Sequence, residues 1–433
     1  MNIKTIMAFI KKHKLIWIIV GLAVAIGLFT YLSIDRLGER FNARQEQPAE
    51  VEDEAIEKDD PQGDEAEYEL DIPMGLDQYK DQPGANAGVY RESVKVKGIY
   101  VSGWIAGMQS RFNPLVQLLN ETELNAMVID VKEDAGRVSY QSSVPWVQEV
   151  GAQVRMIGDM EALINTLEEN NIYSIARIVC FKDPILGEKR SELSLKKADG
   201  SLWRDNKGKT WLNPYNEDTW DYLLEISIEA AKLGFKEIQY DYVRFPTDGP
   251  TRLIDYGDAI EHKSKSQIIA EFLSYAKEHL EPMGVHVTAD TFGIASVSSF
   301  DARNIGHELE WVAQEIEYVC PMIYPSHYAN VAQNGVGQRI NGVLFKRPDL
   351  DPYGVVYHSL VTTREKIEES GGKANVRPWL QAFTATYLGR GNYQVYGGEQ
   401  IRAQIQATYD AGYEEWLLWN ADNRYSSAGL LKE

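Results

Sequence analysis

Two aspartates carry the chemistry that the sequence suggests most directly. Asp241 lies in EIQYDYVRFP at 237–246, and Asp290 lies in HVTADTFG at 286–293. A carboxylate inside such an apolar, aromatic run needs a reason, because burying an unpaired charge is costly. Two carboxylates can divide the work of glycoside hydrolysis between a nucleophile or base and an acid that protonates the leaving oxygen. We therefore predict Asp241 as nucleophile or base and Asp290 as general acid.

The two roles require different protonation states. Arg244, three residues after Asp241, is expected to favour the ionised carboxylate, and an aromatic pocket is expected to keep Asp290 protonated. No Glu ends either of the two runs. An acid supplied by a loop, with one of the two aspartates purely structural, therefore stays open as the alternative.

Both aspartates belong to a series of eight short apolar runs that alternate with amphipathic segments. The runs lie at 97–104, 125–132, 173–181, 237–246, 286–293, 318–328, 377–384 and 414–421. Apolar residues recur at helical spacing near 159–170, 219–233, 264–281, 305–315, 354–369 and 399–411. Eight such alternations predict an α/β fold, a closed parallel (β/α)8 TIM barrel. A doubly wound open sheet is the alternative, but the turn GWIAGMQSR lacks its Gly-rich phosphate signature.

Active sites of such barrels form at the C-terminal ends of the strands. The predicted substrate-binding residues at these ends are Trp104, Asp130, Lys132, Lys182, Arg244, Tyr324, His327, Gln381, Trp419 and Asn420. The loop at 199–216 adds Trp203, Arg204, Asp205, Trp211 and Asn213. Aromatic rings flanked by polar groups suit the apolar face of a pyranose. Any one of these residues could instead cap a helix or pack a loop.

Composition and missing motifs exclude several other functions. The seven histidines are scattered, and neither a G-x-S-x-G nor a Walker motif occurs, so we expect no metal and no cofactor. Cys180 and Cys320 lie in apolar runs and are expected to be small buried residues. A formal net charge of −20 argues against nucleic acid and strongly anionic polymers as partners.

The N-terminal part of the chain differs from the rest. Residues 15–34 contain no charge over twenty positions, about the length of a membrane-spanning helix. Lys4, Lys11, Lys12 and Lys14 precede it, which by the positive-inside rule keeps the N-terminus cytoplasmic. A cleavable signal peptide is the alternative, although no A-x-A site follows.

An acidic segment follows this apolar stretch. Residues 46–71 contain thirteen acidic residues and the single base Lys58, which predicts a solvated, extended linker. The predicted organisation is a cytoplasmic segment at 1–14, a transmembrane anchor at 15–34, a flexible linker at 35–91 and a barrel domain at 92–433. The expected location is the cell membrane, in single-pass topology with the barrel outside and the lipid bilayer as a partner.

Several motifs, in this order, resemble the putative glycosyl hydrolase domain family of bacterial secreted or membrane-anchored proteins. They include GIYVSGW, VIDVKEDAGRVSY, GFKEIQYDYVRFP, PMIYPSHY and WLLWNA, and the resemblance covers about residues 92–430. It implies a TIM barrel distantly related to the α-amylase superfamily. In that pattern the nucleophile maps onto Asp241 and the acid, usually a Glu, onto Asp290. The third carboxylate is replaced by Gln381, which argues against amylase activity itself.

The sequence thus predicts a membrane-tethered extracellular glycoside hydrolase that cleaves a cell-wall polysaccharide or exopolysaccharide. The rival hypothesis is a non-catalytic polysaccharide-binding scaffold that has kept the barrel and the aromatic cleft. The missing Glu and the presence of Gln381 motivate this alternative.

Overall fold

The computed structural model of the protein describes residues 94–432. Eight parallel strands form its centre: β1 Lys97–Val101, β2 Ala126–Lys132, β3 Tyr173–Val179, β4 Glu237–Asp241, β5 His286–Phe292, β6 Tyr318–Ile323, β7 Trp379–Gln381 and β8 Trp416–Trp419. Each strand pairs with the next one along the chain, and β8 pairs back with β1. The sheet is therefore a closed barrel, and the predicted (β/α)8 TIM-barrel fold is confirmed.

Helices follow the first seven strands and cover the barrel from outside. They are α1 Gln109–Asn120, α2 Met160–Glu169, α3 Asp218–Leu233, α4 Lys265–Leu280, α5 Leu309–Glu315, α6 Pro352–Glu369 and α7 Gly398–Asp410. The sequence predicts α2 to α7 but misses α1. Pro114 lies inside α1, and a proline in the middle of a segment ordinarily argues against a helix.

Shorter elements decorate the loops of the barrel. The short helices are Gly103–Ala106, Pro145–Glu149, Pro184–Lys189, Ala259–His262, Gly293–Val297, Ser299–Ile305 and Val331–Asn334. Two small antiparallel pairs join Lys196–Lys197 to Ile254–Asp255 and Gln338–Ile340 to Val343–Phe345, and Asn375–Val376 pairs with β6. The first of these pairs connects the loop after β3 to the loop after β4.

The interior of the barrel is mostly apolar in its middle and holds an ion network at its N-terminal end. Buried residues that fill the middle include Val128, Ile175, Cys320 and Leu417. Below them, Arg377 donates hydrogen bonds to Glu237 (2.7 Å) and Glu415 (2.9 Å), and all three are buried. This network lies at the end opposite to the strand ends expected to form the site. Cys180 and Cys320 are both free and buried, as predicted.

The N-terminal predictions lie outside the described residues. The segments at 1–14, 15–34 and 35–91 all precede residue 94. Within residues 94–432, no helix combines the length and apolar character needed to span a bilayer.

Candidate active site at the C-terminal face of the barrel

Asp241 and Asp290 lie side by side at the C-terminal face of the barrel. In the parallel pairing of β4 with β5, Gln239 is opposite Thr288 and Tyr240 is opposite Ala289, so Asp241 comes next to Asp290. The side chain of Gln239 reaches Sγ of Cys320 (3.2 Å) inside the barrel, and by strand alternation Asp241 points the same way. Asp241 is 6% exposed and Asp290 is 2% exposed, so both carboxyl groups lie at the floor of the site.

Arg177 on β3 connects two carboxylates of the site. Its Nε donates a hydrogen bond to Oδ2 of Asp241 (2.9 Å), Nη2 donates to the same oxygen, and Nη1 donates to Oδ1 of Asp130 (2.5 Å). The hydroxyl of Tyr100 completes the chain by donating to Oδ2 of Asp130 (2.6 Å). The guanidinium also lies over the rings of Tyr100 (5.7 Å) and Trp419 (5.5 Å). Asp241 is therefore held in an ion pair by a buried, tightly surrounded cation.

Arg244, to which the sequence assigned this pairing, occupies a different environment. Its guanidinium lies 4.3 Å from the ring centre of Phe292, 4.8 Å from that of Tyr242 and 5.0 Å from that of Trp211. It donates a hydrogen bond to the carbonyl of Phe245 (3.0 Å). Arg244 thus supports the aromatic wall beside β4, and Arg177 supplies the hydrogen bonds to Asp241.

The environment of Asp290 favours its protonated form. Burial raises the pKa of Asp290 well above its usual range, and the negative charge of Asp241 raises it further. The indole of Trp379 donates a hydrogen bond to Oδ1 of Asp290 (2.7 Å) and, together with Arg177, partly opposes this shift. This direction of the shift suits a general acid, which must hold a proton before the reaction.

Tyr242 fixes the other oxygen of Asp241. The backbone N–H of Tyr242 donates to Oδ1 of Asp241 (2.6 Å), and Tyr242 has a φ of 49°, in the left-handed region. A bulky residue rarely adopts this conformation, and such strain concentrates at functional sites. Two cations contact its ring, Lys182 and Arg244, each 4.8 Å from the ring centre. Asp241 is thereby oriented through both of its oxygens.

Replacing Arg177 by Ala should destabilise the protein by about 3–5 kcal/mol, because it leaves two buried carboxylates without their cation. Urea denaturation at pH 7 measures this change. The matched control is Arg190→Ala, since the ion pairs of Arg190 with Glu149 and Glu192 are partly exposed, and such pairs contribute about 0–1 kcal/mol. Equal losses in the two variants would contradict the assigned role of Arg177.

An aromatic rim surrounds the floor of the site. The half-buried ring of Trp419 stacks on Tyr100 at 4.0 Å between ring centres. Tyr324 contacts His327 (5.0 Å) and Phe383 (6.0 Å), which continues the rim on the side of β6 and β7. Burial lowers the pKa of His327 to about 4, so its imidazole is neutral at physiological pH. Rings of this kind can stack on the apolar face of a sugar.

The remaining predicted strand-end residues lie at different depths. Trp104 is 50% exposed, at the start of the loop after β1. Lys132 is fully buried, pairs with Asp183 (2.9 Å) and donates to the carbonyl of Val179 (2.7 Å). Lys182 pairs with Asp134 at the rim (3.2 Å). Lys132 also lies 5.8 Å from the ring centre of Tyr222 on α3, so its charge is engaged by contacts within the protein.

Gln381 and Asn420 are engaged in hydrogen bonds that hold the loops. The side chain of Gln381 is fully buried, donates to Asp349 (3.0 Å) and accepts from the backbone N–H of Ser326 (3.0 Å). Asn420 donates to the carbonyl of Ala382 (2.7 Å). These contacts favour a structural role for both residues.

The loop after β3 holds the five other predicted substrate-binding residues. Trp203 and Trp211 are fully buried, and Asp205 accepts hydrogen bonds from the indole of Trp211 (3.2 Å) and from two backbone N–H groups of its own turn. Asn213 accepts from the backbone of the same loop. Arg204 is exposed and pairs with Glu188. The two tryptophans therefore pack the loop down, and Arg204 presents its charge to solvent.

Three residues at the centre of the site were not predicted from the sequence: Arg177, Tyr100 and Trp379. Arg177 carried a usable signal, since it is a charge inside the otherwise apolar strand YSIARIV. Tyr100 and Trp379 carried none, because aromatic residues are common in buried strands. In residues 94–432, no group of three or more His, Cys, Asp or Glu side chains could hold a metal ion.

Comparisons with known proteins bear on this site. A family model described as a putative glycosyl hydrolase domain matches residues 98–425. No curated protein matches the chain significantly. A hypothetical protein from Ruminiclostridium thermocellum is 45% identical over 44% of this chain and 96% of that one, with a TM-score of 0.41.

Two further solved structures are glycoside hydrolase domains. The PgaB (BpsB) domain from Bordetella bronchiseptica is 10% identical over 76% of this chain and 94% of that one, with a TM-score of 0.53. The PelA domain from Pseudomonas aeruginosa is 10% identical over 77% of this chain and 98% of that one, with a TM-score of 0.43. The likeness to the PgaB domain shows a shared fold.

Proposed function

This chain belongs to the putative glycosyl hydrolase domain family, and we propose that it is a glycoside hydrolase with Asp241 and Asp290 as its two catalytic carboxylates. The observation that carries the proposal is the contrast between these neighbours. Asp241 is ion-paired with Arg177, whereas burial and the charge of Asp241 raise the pKa of Asp290 and favour its protonated form. Two carboxyl groups with opposite protonation states are what a glycosidase needs.

In this mechanism each carboxyl group acts on one side of the scissile bond. Asp290 transfers its proton to the glycosidic oxygen while the bond from that oxygen to the anomeric carbon breaks. Asp241 attacks the anomeric carbon or takes a proton from an attacking water, and water supplies the hydroxyl of the new reducing end. Arg177 is a positioning residue, since it orients Asp241 and acts on the substrate only through it.

The rim supplies a platform for the sugar ring next to the carboxylates. Trp419 lies over the guanidinium of Arg177 and against Tyr100, and part of its ring faces solvent. Asp130 on the floor and Tyr324 in the rim are both buried. We assign substrate stacking to Trp419 and hydrogen bonding to groups of the floor.

Replacing Trp419 by Ala should raise KM about tenfold with a smaller change in kcat, because stacking on a ring contributes about 1–1.5 kcal/mol of binding. The variant Trp419→Phe keeps an aromatic face and should recover most of the affinity. Trp311→Ala is the control, since Trp311 is 44% exposed on α5. An unchanged KM in Trp419→Ala would refute stacking of the sugar ring on Trp419.

The proposed substrate is a polysaccharide of the cell wall or an exopolysaccharide. Three features of the sequence support this substrate: the uncharged stretch at 15–34, the lysines before it and the acidic segment at 46–71 after it. Such a chain would hold the barrel outside the cell on a tether from the membrane. The substrate would then be a polymer at the cell surface.

A polysaccharide panel tests the function. The full chain, kept in a nonionic detergent, is incubated with wall polymers and exopolysaccharides, and the products are analysed by mass spectrometry. We expect oligosaccharides with new reducing ends from at least one polymer. Retention of a polymer without any product over long incubation would instead support the non-catalytic scaffold.

A further inference from the structure

The loop after β3 carries an unusually basic surface. Residues 182–209 contain eight Lys or Arg and five Asp or Glu, whereas the whole chain contains 44 and 64. Two of the five acids, Asp183 and Asp205, are buried and bonded within the protein. The surface that this loop presents to solvent is therefore positive in an otherwise acidic protein.

A groove opens in this basic surface. It has a volume of about 480 Å³ and is lined by Lys197, Ser201, Leu202, Arg204 and Pro250. Lys197 and Arg204 contribute positive charge and Ser201 a hydroxyl, and the other two side chains are apolar. The volume lies in the usual range of small-molecule sites. A sugar residue with an acidic substituent presents the matching chemistry, an apolar C–H face and a negative charge.

The groove is preformed by its surroundings. Lys197 pairs with Ile254 in a short antiparallel ladder that ties the loop after β3 to the loop after β4. The indole of the fully buried Trp203 donates a hydrogen bond to the carbonyl of Pro250 (3.0 Å). The two loops that line the groove are thus held together by hydrogen bonds, so a ligand would bind without ordering them first.

Contacts connect the groove to the proposed catalytic centre. Next to Arg204, Asp205 accepts a hydrogen bond from Trp211, whose ring lies 5.9 Å from that of Tyr242. Tyr242 directly follows Asp241 and donates to its carboxylate. The residues that line the groove belong to the loops after β3 and β4, so the groove opens on the same face of the barrel as the proposed catalytic carboxylates.

We infer that this groove is a subsite for an anionic substituent of the glycan, a carboxylate or a phosphate; the inference rests on the proposed function. Lys197 forms no ion pair within residues 94–432, so its charge is available. Arg204 pairs with Glu188, but both side chains are 44% exposed, and such a pair is weak enough for a ligand anion to compete. The net charge of −20 predicts that the protein repels anionic polymers. The positive surface around this groove favours binding of such a polymer at this one place.

Affinity electrophoresis of the full chain in nonionic detergent tests the subsite. The background variant is Asp290→Asn, so that no polymer is consumed during the run. The gels contain polygalacturonate for the carboxylate, poly(glycerol phosphate) for the phosphate, or a neutral β-glucan. We expect retardation by one of the two anionic polymers, which identifies the substituent, and a loss of that retardation at high salt.

The double change Lys197→Gln with Arg204→Gln should weaken binding of that polymer roughly tenfold, or about 1.4 kcal/mol. The matched control is Lys95→Gln with Lys236→Gln. These two lysines pair with exposed glutamates and precede β1 and β4, at the opposite end of the barrel. The control removes the same charge and should leave the binding unchanged.

Two results would overturn the subsite: no retardation by either anionic polymer, or an equal loss in the control variant. Neither result depends on hydrolysis, because the background variant lacks the acid. Hydrolysis of a neutral glycan by the unmodified chain, without binding of an anionic polymer, would refute the subsite alone. Binding of an anionic polymer without any hydrolysis by the unmodified chain would refute the enzyme and leave the subsite.

Discussion

Replacing Asp241 by Asn is expected to lower the rate of glycan hydrolysis by at least about 10³-fold while leaving the barrel folded. The amide cannot attack the anomeric carbon or accept a proton from water. Its one carbonyl oxygen can still accept the hydrogen bonds from Arg177. The amide nitrogen then replaces the oxygen that accepted from the N–H of Tyr242, so the floor of the site loses that single hydrogen bond. Release of reducing ends from the cognate glycan measures the loss, and a thermal melt verifies the fold.

Asp130→Asn is the matched control for this experiment. Asp130 and Asp241 accept hydrogen bonds from the same guanidinium, so both substitutions remove one negative charge from the same network. We assign Asp130 to positioning the substrate, so Asp130→Asn should lower the rate of glycan hydrolysis about tenfold or less. Comparable losses in the two variants would show that the network, and not the chemistry of Asp241, limits the rate.

Replacing Asp290 by Asn is expected to lower hydrolysis of the natural glycan by about 10²–10⁴-fold, because it removes the proton donor. The loss should be much smaller for an aryl glycoside with a good leaving group, since that group departs without protonation. Comparing the two substrates separates the loss of an acid from a general loss of structure. An equal loss on both substrates would contradict the assignment of Asp290.

The pH dependence gives the same assignment a second measurement. Because burial and the charge of Asp241 raise the pKa of Asp290, we expect the free enzyme to lose activity as pH rises through that raised pKa. In Asp290→Asn, kcat/KM for the aryl glycoside should no longer fall at alkaline pH. The unfolded chain releases this proton near the ordinary carboxyl pKa, whereas the folded protein retains it up to the raised pKa. The wild type therefore loses stability as pH rises between these two pKa values. The Asn variant should therefore melt at a higher temperature than the wild type at pH 8, with a smaller gain at pH 4.

The barrel could be predicted from the sequence because its strands are buried on both faces. Near-continuous apolar runs such as AMVIDVK in β2 and YSIARIV in β3 are typical of parallel strands, and their number and alternation with helices specify the fold class. Helix α1 was the exception, since Pro114 interrupts a segment that tertiary packing nevertheless makes helical.

The candidate site could be predicted only in part. The position of Asp241 and Asp290 at neighbouring strand ends follows from strand alternation and chain order. Which cation would reach Asp241 does not follow, because Arg177 is distant in the sequence and comes close only through the pairing of β3 with β4. The burial of Trp203 and Trp211 likewise depends on how a long loop folds back on itself.

The most direct test of the central claim is hydrolysis of the cognate polysaccharide in ¹⁸O-labelled water, followed by mass spectrometry of the products. We expect the wild-type chain to release oligosaccharides whose new reducing ends carry one ¹⁸O atom, and Asp241→Asn to release none. Binding of the polysaccharide by the wild type without any labelled product would contradict it, and the barrel would then be a binding scaffold.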